Sequence, residues 1–231
     1  AGVRYSFENP FLYEKSNVRG TLNLLELARQ FKIKSFIFAS SSSVYGGNKK
    51  LPFSETDPID NPISLYGATK IAAETLIKTY HQVYKIPCTI LRYFSVCGPW
   101  GRPDMALFKF TDAIIKDQPI DVYNFGKMKR NFTYIDDIID GTTSAIEKNY
   151  PFEIFNLANS KTVELSYFIE LIEKNLGKQA KKRFLPIQLG DIPDNRADIS
   201  KAKKMLGFEP KVKIEEGIKT FINWYKEYYK A

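Results

Sequence analysis

Two short apolar runs, one on each side of a long amphipathic segment, constrain the fold of this chain more than any other feature. Ser35-Phe36-Ile37-Phe38-Ala39 is apolar and aromatic with no polar alternation, the pattern of a strand covered on both faces. Thr89-Ile90-Leu91-Arg92-Tyr93 is a second such run. Between them, after a polar loop carrying Pro52, Pro58 and Pro62, the residues from Leu65 to Tyr84 read as a helix. Strand, helix and strand at this spacing predict a right-handed crossover between parallel strands, and hence an α/β fold. Upstream, Val18 to Phe31 reads as a helix with Leu22, Leu24, Leu25, Leu27 and Ala28 on one broad face.

After Gly98-Pro99 the elements shorten. A helix near Phe108 to Lys116, strands at Ile120 to Tyr123 and Phe132 to Tyr134, and a helix from Ile135 to Lys148 are predicted. A strand at Ile154 to Leu157 and helices at Leu165 to Leu176 and Ile214 to Tyr229 follow. The pattern implies a smaller α/β lobe packed on the first, with a soft boundary near Gly98.

Composition excludes several classes of function. The 231 residues are 44% hydrophobic and contain no apolar run long enough to span a bilayer. No charged segment followed by an apolar run opens the chain, so no signal peptide is expected, and the missing initiator Met reads as a start inside a longer product. Cys88 and Cys97 form no C-x-x-C pair, which suits a reducing cytoplasm. One histidine, His81, is too few for a His-based metal cluster and argues against a Ser-His-Asp triad. The net charge of +8 is scattered, with only Lys181-Lys182-Arg183 dense. It fits an anionic small substrate or a solvated surface better than nucleic acid.

The residues with chemistry in them cluster around the first crossover. Tyr66 and Lys70, four apart, share one face of a helix one turn from each other. An ammonium beside a phenol favours the phenolate, so Tyr66 is expected to titrate toward neutrality and serve as a proton acceptor. The apolar strand ends in Ser40-Ser41-Ser42-Ser43-Val44-Tyr45-Gly46. Ligands of open α/β sheets bind beyond the carboxyl ends of strands, where such hydroxyls can share a substrate oxygen with Tyr66. A polar loop or a helix cap is the plainer reading of these serines.

Together, Ala39-Ser-Ser-Ser-Ser-Val-Tyr-Gly46 and Tyr66-x-x-x-Lys70 resemble the active site of extended short-chain dehydrogenases/reductases, the NAD-dependent epimerase/dehydratase family. The likeness continues through Leu91-Arg92-Tyr93-Phe94-Ser95-Val96-Cys97-Gly98-Pro99. The runs Trp100-Gly101-Arg102-Pro103-Asp104-Met105-Ala106 and Gly126 to Asp137 are similar to the UDP-glucuronate 4-epimerase subgroup.

The resemblance implies a partial Rossmann-like parallel sheet (residues 1–98) and a smaller C-terminal α/β substrate lobe (99–231), with the chain crossing between them. It also implies that Tyr66 takes the proton of a sugar 4-hydroxyl while NAD takes the C4 hydride, giving a 4-keto sugar that is reduced on its other face. Lys70 would hold the nicotinamide ribose, and Ser41 would bond the reacting oxygen with Ser42 and Ser43 nearby. Tyr93, Phe94, Val96 and Pro99 would wall the nicotinamide, and Ser95 would face the sugar. Arg102 is the expected reader of an acid sugar, since a guanidinium binds a carboxylate in a fork. Arg130 would clamp the diphosphate, Tyr123 would cradle uracil, and Asp191 would contact the ribose side. A homodimer through the helices at 17–31 and 65–84 is also implied.

The match has gaps. No glycine-rich G-x-x-G-x-x-G fingerprint occurs in these residues, nor the acidic residue that grips the adenosine ribose. We read this as three strand–helix units, on the order of 80 residues, lying outside the sequence, and expect weak NAD affinity without them. Cys97 stands where the subgroup often has Tyr, and Ser16 where some relatives place Asn against the cofactor. Asn195-Arg196 replaces a more usual Thr-aromatic pair. Dehydratases carry an Asp-Glu pair where this chain has Ser42-Ser43, which argues against water elimination. A neutral UDP-hexose epimerase and a non-catalytic nucleotide-sugar-binding fragment are the competing readings.

Overall fold

A computed structural model describes residues 2–230. Its centre is a parallel three-stranded sheet of β1 (Phe36–Ser41), β2 (Cys88–Tyr93) and β7 (Phe152–Leu157), in the order β1-β2-β7. Phe36 pairs with Cys88 and Cys88 with Phe152, so the three strands end level.

The leading residues form two short helices, α1 (Tyr5–Glu8) and α2 (Pro10–Tyr13). From α2 the helical path continues through a π-helical turn, Glu14–Arg19, into α3 (Gly20–Gln30). The helix expected from Val18 therefore begins at Pro10. Proline is well placed there, because the first turn of a helix needs no amide donor. The polar run Glu14-Lys15-Ser16-Asn17 hides this start from a search for apolar periodicity.

Helix α4 (Leu65–Tyr84) is capped by Ser64, whose Oγ accepts from the Gly67 amide at 3.0 Å. Helices α3 and α4 cover one face of the sheet, with Leu25, Ala28 and Ile77 packed on Cys88 and Ile90. The opposite face carries α6 (Ile135–Lys148) and, later in the chain, α8 (Ser200–Leu206). There Ile138, Ala145, Ala202 and Leu206 pack on Leu91, Phe155 and Leu157. Covering on both faces is what the unbroken apolar runs require.

The remaining elements build a second core. These are β3 (Ser95–Cys97), α5 (Ala106–Ile115), β4 (Ile120–Tyr123), β5 (Lys129–Arg130), β6 (Phe132–Tyr134), β8 (Val163–Glu164), α7 (Leu165–Leu176), β9 (Lys182–Leu185), β10 (Asp194–Asn195) and α9 (Ile214–Tyr229). Small sheets β3-β6, β4-β9 and β10-β5-β8 surround helices α5, α7 and α9, which bury Phe108, Phe168, Ile172, Phe221 and Tyr225. Strand β7, although it follows β3 to β6 in sequence, returns to the first sheet.

One polar cluster sits inside the apolar layers. Arg92 of β2 and Glu74 of α4 have side chains 2% and 4% exposed and meet in a fork, at 3.1 and 2.8 Å. Ser40 donates to the same carboxylate, and Arg92 also donates to the Tyr45 hydroxyl at 3.0 Å. Tyr45 in turn donates to Asn156 of β7 at 2.6 Å. Burial works against the Arg92 charge, but the bonds to Glu74 and Tyr45 outweigh it and raise its pKa. Arg92→Met alone, stranding a buried carboxylate, is expected to cost about 3–5 kcal/mol in urea unfolding. The double variant Glu74→Leu/Arg92→Met should lose much less.

Candidate active site

The site forms where the carboxyl end of β1, the first turns of α4 and the π-helical turn meet. Tyr66, Lys70 and Glu74 follow one another at single-turn intervals on α4, so one helix face runs from the mouth of the sheet to the buried Arg92 pair. Lys70 Nζ donates to the Ala39 carbonyl at 2.9 Å and lies 4.7 Å over the Phe38 ring and 5.9 Å from the centre of the Tyr66 ring. The Tyr66 ring stands edge-on to Tyr13 at 6.0 Å, and its amide donates to Ser6 Oγ at 3.1 Å.

The serine run leaves β1 as a single 3-10 turn, Ser42–Tyr45. Ser41 caps it by accepting from the Ser43 amide, and its hydroxyl donates to Ser43 Oγ, both at 3.2 Å. The loop can press against α4 only because residue 67 is glycine. A Cβ there would come within 2.6 Å of the Ser43 carbonyl oxygen.

The electrostatics differ from the sequence-based expectation. Burial raises the Tyr66 pKa above its ordinary value, while the nearby Ser41 hydroxyl and the charge of Arg102 pull it back. Lys70 does not supply the lowering: burial depresses its own pKa, and its amine is turned to the Ala39 carbonyl. Desolvation thus outweighs the neighbouring amine, and Ser41 and Arg102 are the groups that favour the phenolate.

Beside Lys70 an open cleft of about 480 Å³ is lined by Ser16, Asn17, Thr21, Phe38 and Ala39. An amine, the amides of Asn17 and Asn23 and two hydroxyls around an apolar floor suit the nicotinamide ribose end of a dinucleotide. Asn17 is braced by donating to Thr69 at 3.0 Å. Of the residues expected to wall that ring, Phe94 is buried against Tyr45 at 6.2 Å, and Pro99 is half-buried. Tyr93 and Val96 pack toward the α6 side, where the Tyr93 hydroxyl meets Thr142 at 2.9 Å. The structure therefore turns Tyr93 away from Lys70, as strand alternation demands when Arg92 faces α4.

The expected nucleotide-binding residues gather along β4, β5 and β10. Arg130 donates to the carbonyls of Lys129 and Pro193, and burial depresses its pKa against the pull of Asp191 and Asp194. Tyr123 lies under the guanidinium of Arg4 at 4.7 Å, and Arg4 also pairs with Asp191 at 3.2 Å. Ser95, half-buried on β3, is in register with Phe132. Arg102 holds Asp104 in a two-bond fork at 2.9 and 2.8 Å on an exposed loop. Arg4, Ser6 and Tyr13 were not legible in the sequence, and Asn195 was noted there only as part of the Asn195-Arg196 departure. Their contacts to Asp191, Tyr66 and Ser42 join distant parts of the chain, which no local spacing reveals.

A parallel α/β sheet presenting a Tyr-x-x-x-Lys helix and a serine loop at its strand ends defines an extended short-chain dehydrogenase/reductase. The chain belongs to the GDP-mannose 4,6 dehydratase family, whose model matches residues 1–221. It is 57% identical over 227 residues to an uncharacterised protein of Methanocaldococcus jannaschii, covering 98% of this chain and 70% of that one. A UDP-glucuronate 4-epimerase of Thermodesulfobacterium geofontis is 46% identical over 228 residues, with 98% and 70% covered. The crystal structure of UDP-glucuronic acid 4-epimerase from Bacillus cereus, in complex with UDP-glucuronic acid and NAD, superposes with a TM-score of 0.93. It is 38% identical, and the match covers 99% of this chain and 73% of that chain.

Since Ser41 lowers the Tyr66 pKa, Ser41→Ala should move the ionisation of Tyr66 to higher pH. Difference absorbance titration against Tyr66→Phe reads this directly, and an unchanged or downward shift would contradict the assignment.

Proposed function

We propose that this chain carries the catalytic and sugar-binding residues of an NAD-dependent epimerase that interconverts UDP-glucuronate and UDP-galacturonate through a 4-keto sugar. The observation that carries this reading is the packing of the Tyr66–Lys70 face of α4 on the end of β1 and its serine loop, with Lys70 Nζ on the Ala39 carbonyl and Gly67 against the Ser43 carbonyl. Tyr66 removes the 4-hydroxyl proton and later returns it, and Ser41 bonds the same oxygen and favours the phenolate. NAD, when bound, supplies the hydride acceptor and donor. Lys70, with Ser16 and Asn17, holds the ribose of that cofactor, and Phe94 and Pro99 confine its ring.

The acid-sugar preference is supported by Arg102. Its fork already grips a carboxylate, that of Asp104, and can exchange it for the glucuronate carboxylate. A neutral hexose has no such need. Ser42, Ser43 and Ser95 face the sugar, Arg130 holds the diphosphate, and Tyr123 and Asp191 hold the nucleoside, with residues from 99 onward supplying most of the substrate lobe. The Ser42-Ser43 pair offers no carboxyl to eliminate water, which supports epimerisation over dehydration.

Two further readings concern assembly and place. Leu24, Leu27 and Phe31 lie 57%, 47% and 75% exposed on and just beyond α3, and Val83 and Tyr84 lie 61% and 49% exposed near the end of α4. An apolar stripe of this kind supports a homodimer through the helices at 17–31 and 65–84. Both cysteines are buried and unpaired, which supports a cytoplasmic setting; a sugar-nucleotide product of the proposed reaction would suit polysaccharide synthesis. Among the described residues no helix is long and apolar enough to cross a membrane.

Incubation with NAD and UDP-glucuronate should yield UDP-galacturonate, and Tyr66→Phe should lower the rate by at least 10²-fold. Conversion of UDP-galactose at an equal rate, unaffected by Arg102→Ala, would favour the neutral-sugar reading. Binding of UDP-sugar without conversion would favour a non-catalytic role. For the dimer, Leu27→Glu should shift the sedimentation coefficient from dimer to monomer, and a wild-type monomer would refute the assignment.

A further inference from the structure

Asn195 is a departure from the family pattern that the proposed chemistry leaves unused, and its side chain reaches the serine loop. It lies on β10 in parallel register with Arg130 of β5. From there its amide Nδ2 donates to Ser42 Oγ at 3.0 Å, across 153 residues of sequence. Asn195 therefore stands between the residue read as the diphosphate clamp and the serine loop, where the hexose has to lie.

The bond fixes the polarity of Ser42. A serine hydroxyl has one proton to give and lone pairs to accept with. Here one lone pair is filled by Asn195, and among the described residues the proton has no acceptor, although the side chain is only 6% exposed. A buried hydroxyl with an unspent donor stabilises an oxygen brought to it, and an anionic oxygen most of all. Nor does Asn195 return a partner for itself. Its Oδ1 is buried without one, so the amide is held by the Ser42 contact and not by a closed network.

We infer that Asn195 is a specificity-determining, positioning residue: by donating to Ser42 it holds that serine as a hydrogen-bond donor toward the acidic hexose of the substrate. This rests on the UDP-sugar reading of the site and extends it to a residue outside the reacting groups. It acts through Ser42 and touches neither the phenol nor the cofactor cleft.

Reversing the polarity is the test. In Asn195→Asp the carboxylate accepts the Ser42 proton, so Ser42 can no longer donate to the ligand. Calorimetric titration of the full chain with UDP-glucuronate, UDP-glucose and UDP separates the effects. Asn195→Asp should weaken UDP-glucuronate about tenfold or more, UDP-glucose by less than about threefold, and UDP hardly at all. Asn195→Ala should weaken UDP-glucuronate in wild type and have no further effect in a Ser42→Ala background, since the two residues act as one unit. Equal losses for all three ligands, or additive effects of the two alanine substitutions, would overturn the assignment while leaving the epimerase reading intact. An amide held the other way round, accepting from Ser42, is mimicked by Asn195→Asp, and undiminished UDP-glucuronate binding in that variant would likewise refute it. Failure of wild type to bind either sugar nucleotide more tightly than UDP would remove the epimerase reading and this inference together.

Discussion

The buried pair of Arg92 and Glu74 is the contact on which the geometry of the site depends. Two charges taken from water are costly, and the cost is met only where each finds directed partners. Arg92 finds Glu74 and Tyr45, and Glu74 finds Arg92 and Ser40. Through these four side chains β1, β2 and α4 are joined, and Tyr45 extends the network to Asn156 on β7. Apolar packing alone would let a helix slide along a sheet, because one aliphatic contact resembles the next. A forked ion pair has a single geometry, so it fixes both the depth and the rotation of α4. Lys70 and Tyr66, one and two turns nearer the helix start, inherit that setting.

Much of this was legible in the sequence. Strands β1, β2 and β7 and helices α4, α6, α7 and α9 follow from apolar periodicity, because their burial is long and regular enough to leave a pattern. Strand β9 did not, since Lys182 and Arg183 sit on a lone edge and satisfy their charges on Glu173 and Asp121. Helix α8 is only a turn or two long, and just Ala202 and Leu206 of it are buried. The same division holds in the site. Tyr66, Lys70 and Ser41 lie in short segments whose spacing is itself the signal. The pairings of Arg4 with Asp191 and of Ser42 with Asn195 span 187 and 153 residues, and only the folded chain brings them together.

The sign of the Tyr66 shift shows where sequence reasoning overreaches. Spacing places an amine near a phenol, but it carries no information on how much water each loses. Burial raises the energy of phenolate and ammonium alike, moving the two pKa values toward one another from opposite sides. What counters burial at Tyr66 is supplied from outside its own helix, by the loop after β1 and by the Arg102 segment. An acid–base residue is thus tuned by the elements that converge on it more than by its nearest neighbour in the chain.

The π-helical turn at Glu14–Arg19 carries a consequence of its own. An α-helix advances about 100° per residue, so a turn that accommodates one extra residue rotates everything beyond it by that angle. Before the turn, the helix offers Tyr13 to the Tyr66 ring; after it, Leu25 and Ala28 meet the sheet and α4. A uniform spiral could not present both sets of side chains to the same neighbour. The wide turn works as a phase shifter, letting one rod keep two angular alignments, with Ser16 and Asn17 at the point where they change.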